Sequence, residues 1–119
     1  IKLNFFVDDL SKKNYSKFKK NFFDYCICSG VLEILSETKL QIFLKNISKV
    51  VKKGIYIEDV AETFPGGWPR HNLGYYLLKY DFKIKERHLL FTEPFKKNKL
   101  SDPKKIWPAV LLQNIWAEK

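Results

Sequence analysis

Methionine is absent from the 119 residues, and no apolar run comes near the roughly 20 residues that a membrane span needs. The opening Ile1-Lys2-Leu3-Asn4-Phe5-Phe6 lacks the charged, apolar and small-residue layout of a signal peptide, so a cytoplasmic chain is expected. With no initiator, and beginning inside an apolar run, the chain reads as a fragment or a processed piece. Cysteine is limited to Cys26 and Cys28, with no second pair to complete a metal site, so no metal is expected. Spaced i and i+2 on one candidate strand, they share a face and are poor disulfide partners. They read as buried small hydrophobes in a reducing compartment. Arginine is almost missing too. Of 22 cations all but Arg70 and Arg87 are Lys, and base and phosphate recognition favours the bidentate Arg fork. The net charge of +9 therefore describes a solvated, lysine-rich surface rather than a dedicated nucleic-acid reader.

What is present suits one packed domain over residues 1–119. Hydrophobic residues make up 45% and aromatics 16%, enough for a single core and too many for disorder. The organising stretch is Phe22-Phe23-Asp24-Tyr25-Cys26-Ile27-Cys28-Ser29-Gly30, a short apolar run broken by small polar residues. Such a run predicts a strand buried on both faces, and its C-terminal break is where open α/β sheets bind ligands.

Before it, residues 3–7 (Leu-Asn-Phe-Phe-Val) predict a short strand ending at Asp8-Asp9. Residues 11–21 are polar and read as a loop with at most a weak helix. Ser36 is placed to cap a helix, with Glu37 in its first turn. Leu40, Phe43, Leu44, Ile47, Val50 and Val51 supply one apolar stripe, and Lys52-Lys53-Gly54 would close the helix. Ile55-Tyr56-Ile57 starts a further strand ending at Glu58-Asp59, making a right-handed βαβ unit and a parallel pair. Residues 64–69 (Phe-Pro-Gly-Gly-Trp-Pro) form a rigid turn. Asn72 would cap a short helix burying Leu73, Tyr76, Leu77 and Tyr80. Residues 82–92 and 108–117 predict an antiparallel strand pair, joined across Glu93-Pro94-Phe95 and a basic linker at 96–105.

This order resembles the C-terminal portion of a class I S-adenosylmethionine-dependent methyltransferase. The stretch from Phe23-Asp24 through Ser29-Gly30-Val31-Leu32-Glu33 is similar to that family's fourth strand, "FD-(apolar run)-S-x-V-L-E". Ile47-Ser48-Lys49-Val50-Val51-Lys52-Lys53-Gly54 resembles the helix leading into its fifth, with Ile55 where a second glycine is usual. Tyr76-Leu77-Leu78-Lys79-Tyr80-Asp81-Phe82-Lys83-Ile84 resembles the entry to the sixth, with Asp81 in place of glycine. The likeness covers nearly the whole chain and starts at what corresponds to strand three, so the glycine-rich first strand has no counterpart here. It implies an α/β fold: a partial Rossmann-like sheet, parallel strands with a final antiparallel pair, and helices on the faces. It further implies methyl transfer from S-adenosyl-L-methionine to an unidentified acceptor, with the isolated piece inactive. Asp9 of Val7-Asp8-Asp9-Leu10 would meet the cofactor's adenine amino group, Asp8 being the second choice, and Leu10 would cover the ring. Ser29, Gly30 and Val31 would lie beside its methionine end. In the implied sheet order, 3-2-1-4-5-7-6, the missing strands one and two leave residues 3–7 without a neighbour and bare one edge of residues 23–28.

Alone, an acidic pair at a strand end is a turn or cap, and Ser29-Gly30 a turn. No residue is singled out as catalytic. His71 follows the Pro-Gly turn but reads as an exposed loop histidine, His88 is a poorer candidate, and Trp68 and Tyr75 read as packing. Two other functions remain open: a basic α/β module touching nucleic acid through its lysines, and a non-catalytic half completed by a partner chain.

Overall fold

The computed structural model describes residues 2–64, 71–92 and 109–119. The Pro-Gly turn beyond Phe64, the strand end at Glu93-Pro94-Phe95 and the basic linker at 96–105 lie outside them, as does Trp68.

Strand β1 (Phe23–Ser29) leads through a single 3-10 turn at Leu32–Ile34 to helix α1 (Glu37–Val50). Ser36 caps α1 as expected, its hydroxyl accepting from the Lys39 amide at 3.3 Å. Leu40, Phe43, Leu44, Ile47 and Val50 are buried along one stripe. The expected end of this helix is wrong, however. The chain passes from Val50 directly into β2 (Val51–Phe64), so Gly54 is a strand residue and β2 continues well past Glu58-Asp59. Parallel pairing with β1 begins at once, Phe23 opposite Val51, and this pairing outweighs the local stop signal. Cations still meet the helix end: Lys119 Nζ donates to the Ser48 carbonyl and, at 3.2 Å, to that of Val51.

Helix α2 (Leu73–Lys79) is capped by Asn72, whose side-chain oxygen accepts from the Tyr75 amide at 3.1 Å. It ends with the Phe82 amide donating to the Leu77 carbonyl at 2.8 Å and the Asp81 amide to that of Leu78 at 3.2 Å. This is a Schellman closure with Asp81 at φ 71°, the left-handed position that glycine takes most easily. Strands β3 (Lys83–Thr92) and β4 (Ala109–Glu118) pair antiparallel, and β4 also pairs antiparallel with β2. The sheet order is therefore β1-β2-β4-β3, with β4 inserted between β2 and β3.

One face of the sheet carries the core. Cys28, Ile55, Ile57, Ile115 and Ala117 meet the buried stripe of α1, Leu73, Tyr76 and Leu77 of α2, and Phe82. The helices are tied to each other by the Tyr76 hydroxyl, which donates to Glu37 Oε1, and by Lys79 Nζ to Gln41 Oε1 at 2.8 Å. On the opposite face Tyr25 and Trp116 stack with ring centroids 5.6 Å apart, across the bare backbone of Gly54.

Two sequence expectations fail at the N-terminal side. Residues 3–7 form no strand, and Leu3, Phe5, Phe6 and Val7 are exposed; a strand cannot persist without a ladder partner. Strand β1 is not buried on both faces either. It lies at the edge of the sheet, with Tyr25 52% and Ile27 78% exposed, because among the described residues no helix or strand packs over their face. The free edge expected for residues 23–28 is present: among the described residues the only ladder that β1 forms is with β2.

Candidate functional site

The expected site residues fall into two groups. Ser29, Gly30 and Val31 stand at the C-terminal end of β1, all three with exposed side chains or backbone. Gly30 has φ 65°, and its amide donates to the Glu58 carbonyl at 2.9 Å, extending the β1–β2 ladder by one bond. A Cβ there would meet nothing closer than Glu33 Oε1 at 3.7 Å, so the step is open on its outer side. The following 3-10 turn buries Leu32 completely and Glu33 nearly so, at 8% exposure. Glu33 Oε2 is buried with no hydrogen-bond partner among the described residues. Close by, burial pushes the Cys28 thiol up to about 12, with Cys26, Asp59 and Glu33 adding to the effect. Cys26 is raised to about 11 by burial alone. Both thiols are free and protonated at neutral pH; Cys28 is the buried small hydrophobe expected, whereas Cys26 is only half-buried against the core.

Asp8, Asp9 and Leu10 form the second group. Asp8 Oδ2 accepts from the Tyr15 hydroxyl at 2.6 Å, Oδ1 accepts from the Asp9 amide at 2.9 Å, and Lys17 Nζ lies 3.9 Å away. The Tyr15 bond is the main reason its carboxyl sits below the ordinary range. Asp9 uses one oxygen, Oδ1, for both the Ser11 hydroxyl at 2.6 Å and the Ser11 amide at 2.9 Å, and these bonds lower its pKa. This is the local turn chemistry that an acidic pair offers by itself. Leu10 is half-buried against the core, and its carbonyl accepts from Asn46 Nδ2 at 2.7 Å.

The chain brings Asp8 and Leu10 together with Phe6, Tyr15, Phe18, Phe23, Tyr25 and Cys26 around a mainly apolar pocket of about 340 Å³. Its floor is Ile47, Val50 and Val51, where α1 runs into β2. Asp9, Ser29, Gly30 and Val31 do not line it. Of the six expected residues the pocket thus takes in only Asp8 and Leu10.

Three residues escaped the sequence reading. Tyr15 is buried and holds Asp8; Asn46 is buried on α1 and donates to the carbonyls of both Leu10 and Lys12. A polar residue at 46 looks like an outer-face position until the 10–15 segment is laid over it. Glu33 gives a faint signal, a single acid inside the apolar run Val31-Leu32-Glu33-Ile34-Leu35. His71, read as an exposed and idle loop histidine, is instead half-buried with Nε2 2.8 Å from the Leu35 carbonyl, which makes it a tie between the 3-10 turn and α2. His88 is exposed beside Glu86 at 3.5 Å. Among the described residues no group of His, Cys, Asp and Glu could hold a metal, and no helix is long and apolar enough to cross a membrane.

No protein-family model and no curated protein sequence matches the chain. Solved structures do. A SAM-dependent methyltransferase from Methanosarcina mazei superposes with a TM-score of 0.68 at 16% identity, over 99% of this chain and 68% of its own. A putative methyltransferase from Bacillus halodurans gives 0.67 at 10% identity, over 94% of this chain and 75% of its own. The magnesium protoporphyrin IX methyltransferase of Synechocystis, with SAH bound, gives 0.56 at 15% identity, over 91% and 48%. At such identities the likeness is one of architecture: the chain has a class I S-adenosylmethionine-dependent methyltransferase-like fold.

Proposed function

We propose that this chain is the C-terminal part of the catalytic domain of an S-adenosyl-L-methionine-dependent methyltransferase, transferring a methyl group to an acceptor whose identity the fold does not decide. The observation that carries the reading is the β1-β2-β4-β3 sheet, in a chain of which 99% superposes on the Methanosarcina mazei methyltransferase. Bound S-adenosyl-L-methionine supplies an electrophilic methyl group on a sulfonium. The protein's part is then positioning and exclusion of water, which requires no catalytic triad.

Ser29, Gly30 and Val31 are the proposed contacts for its methionine end. The fit is reasonable: the positive-φ glycine offers a step without a Cβ, open outward, at the C-terminal end of a parallel pair. Asp9, Asp8 and Leu10 are the proposed adenine contacts. Asp8 is already held by Tyr15 and Lys17, whereas Asp9 engages Ser11 through one oxygen, which supports Asp9 as the adenine ligand. Since the pocket takes in only Asp8 and Leu10 of these six, the 119 residues by themselves should bind the cofactor weakly or not at all.

Isothermal titration tests both parts. The chain alone should give no heat of binding, while the polypeptide extended by its upstream coding sequence should bind at micromolar concentration and transfer a labelled methyl group. Micromolar binding by the 119 residues would sink the claim of an incomplete site. An extended chain that binds nothing would sink the methyltransferase reading. The competing reading, a basic α/β module touching nucleic acid through its lysines, would be favoured by nucleic-acid binding with a steep salt dependence and no affinity for the cofactor.

A further inference from the structure

At the carboxyl end of the parallel pair the core face of the sheet turns from apolar to polar. Strand β1 stops at Ser29, opposite Glu58, while β2 runs on to Phe64 and leaves a corner. Asp59, two residues past the buried Ile57, faces the same side and pairs with Gln113 of β4; both residues are 3% exposed. Glu33 reaches this corner from the 3-10 turn. A Cβ built on Gly30 would have Glu33 Oε1 as its nearest neighbour, and the Glu33 and Asp59 charges both act on the Cys28 thiol.

Two acceptor atoms here are unmet: Glu33 Oε2 and Gln113 Oε1 are buried without a hydrogen-bond partner among the described residues. A buried acceptor has lost water and gained nothing in return, a carboxylate oxygen most of all, so such atoms mark places where a bound group supplies the donor. The row Glu33, Asp59, Gln113 runs from the turn across β2 to β4, into the sheet and away from the free edge of β1. Its charge has one sign. Residues 27–38, 54–64 and 109–117, from which this end of the sheet is built, contain five carboxylates (Glu33, Glu37, Glu58, Asp59 and Glu62) and no Lys or Arg, although the chain carries +9.

We propose that Glu33 and Gln113 form a seat for a cationic amine group of the methyl acceptor, whose N–H donors meet Glu33 Oε2 and Gln113 Oε1 behind the Ser29-Gly30 step. An ammonium carries three N–H donors and no acceptor, which suits a pair of unmet acceptors. The seat rests on the geometry of these residues; its assignment to the acceptor rests on the methyltransferase reading.

The test uses the ¹⁵N-labelled polypeptide extended by its upstream coding sequence, titrated without cofactor by three probes: butylamine, cationic at neutral pH, tetramethylammonium, a cation with no N–H, and butyrate. Butylamine should shift the Gly30 and Glu33 amides and the Gln113 side-chain amide saturably, with the other two weaker by about tenfold or more. Glu33→Gln should weaken butylamine binding by about tenfold or more without lowering the thermal midpoint, since it removes a buried charge that has no partner; a structural Glu33 would lower it. Glu86→Gln, exposed on β3, should change neither. Equal shifts by tetramethylammonium, shifts centred on other acids, no shift at all (a buried water filling the corner), or a Glu33→Gln midpoint lower by about 5 °C or more would each overturn the proposal. A separate S-adenosyl-L-methionine titration keeps the two readings apart. Cofactor binding without a butylamine site overturns this inference alone. A butylamine site without cofactor binding overturns the methyltransferase reading, and the acceptor assignment with it.

Discussion

Replacing Gly54 with Ala distinguishes two accounts of the chain's middle. Read locally, Gly54 ends a helix; in the fold it is a β2 residue paired opposite Glu118 of β4. A Cβ on Gly54 would sit 2.6 Å from the Ala117 carbonyl oxygen and 3.0 Å and 3.3 Å from two carbons of the Trp116 ring. The ring can rotate, but the carbonyl belongs to a ladder pinned on both sides by β2 and β3. Reaching an ordinary 3.4 Å contact means moving it by about 0.8 Å in the centre of the sheet. Overpacking of this kind costs about 3 kcal/mol, at the upper end of the usual range. For a domain of this size that lowers the thermal midpoint by about 12 °C. A helix-terminal glycine would cost about 1 kcal/mol when replaced. Urea unfolding followed by circular dichroism measures the difference. Gly74→Ala is the control: it lies in α2 with no neighbour nearer than 3.7 Å and should gain about 0.5 kcal/mol from helix propensity. A Gly54→Ala loss below 1 kcal/mol, or full rescue by adding Trp116→Ala, would refute the reasoning, because the second change leaves the carbonyl contact in place.

Other expectations follow from the same structure. Asp81→Gly should stabilise the chain by about 0.5–1 kcal/mol, since Asp81 occupies the left-handed closing position of α2 at φ 71°; a loss in the urea midpoint would contradict that. Asn46→Ala leaves the Leu10 and Lys12 carbonyls without their donor and should cost about 1–3 kcal/mol, with faster hydrogen exchange confined to residues 10–15. Tyr15, pushed up to about 12 by burial and by Asp8, stabilises the fold fully below its ordinary value of 10.0 and loses that contribution as pH rises through 12. Asp8, held below its ordinary 3.8, contributes above that value and ceases to as pH falls through its lowered pKa. Urea midpoints measured across pH should therefore fall at both extremes, and Tyr15→Phe should flatten both limbs; an unchanged profile would remove the Tyr15–Asp8 bond from the account.

Much of the local structure was legible. Ser36 and Asn72 cap their helices because capping depends on the neighbouring three residues, and the α1 stripe is buried at its written spacing. The β3–β4 pairing followed from loop length and the absence of a helix between them. The likeness read from motif order agrees with the sheet order, including Asp81 at the position where glycine is usual. Site residues were legible only as chemistry types. Ser29-Gly30 announces a break, but that Asp8 turns to Tyr15, and Asn46 to the 10–12 carbonyls, depends on which surfaces meet across more than 30 residues for Asn46 and seven for Tyr15.

By itself, then, the sequence determined the helices, their caps, the antiparallel hairpin and a glycine step at the end of β1, all interactions among residues near in the chain. The tertiary structure decided the rest. It turned Gly54 from a helix stop into a strand contact and denied residues 3–7 a strand. Strand pairing is long-range: a segment of high β-propensity becomes a strand only when a partner's backbone lies alongside, and no local pattern states which partner that is.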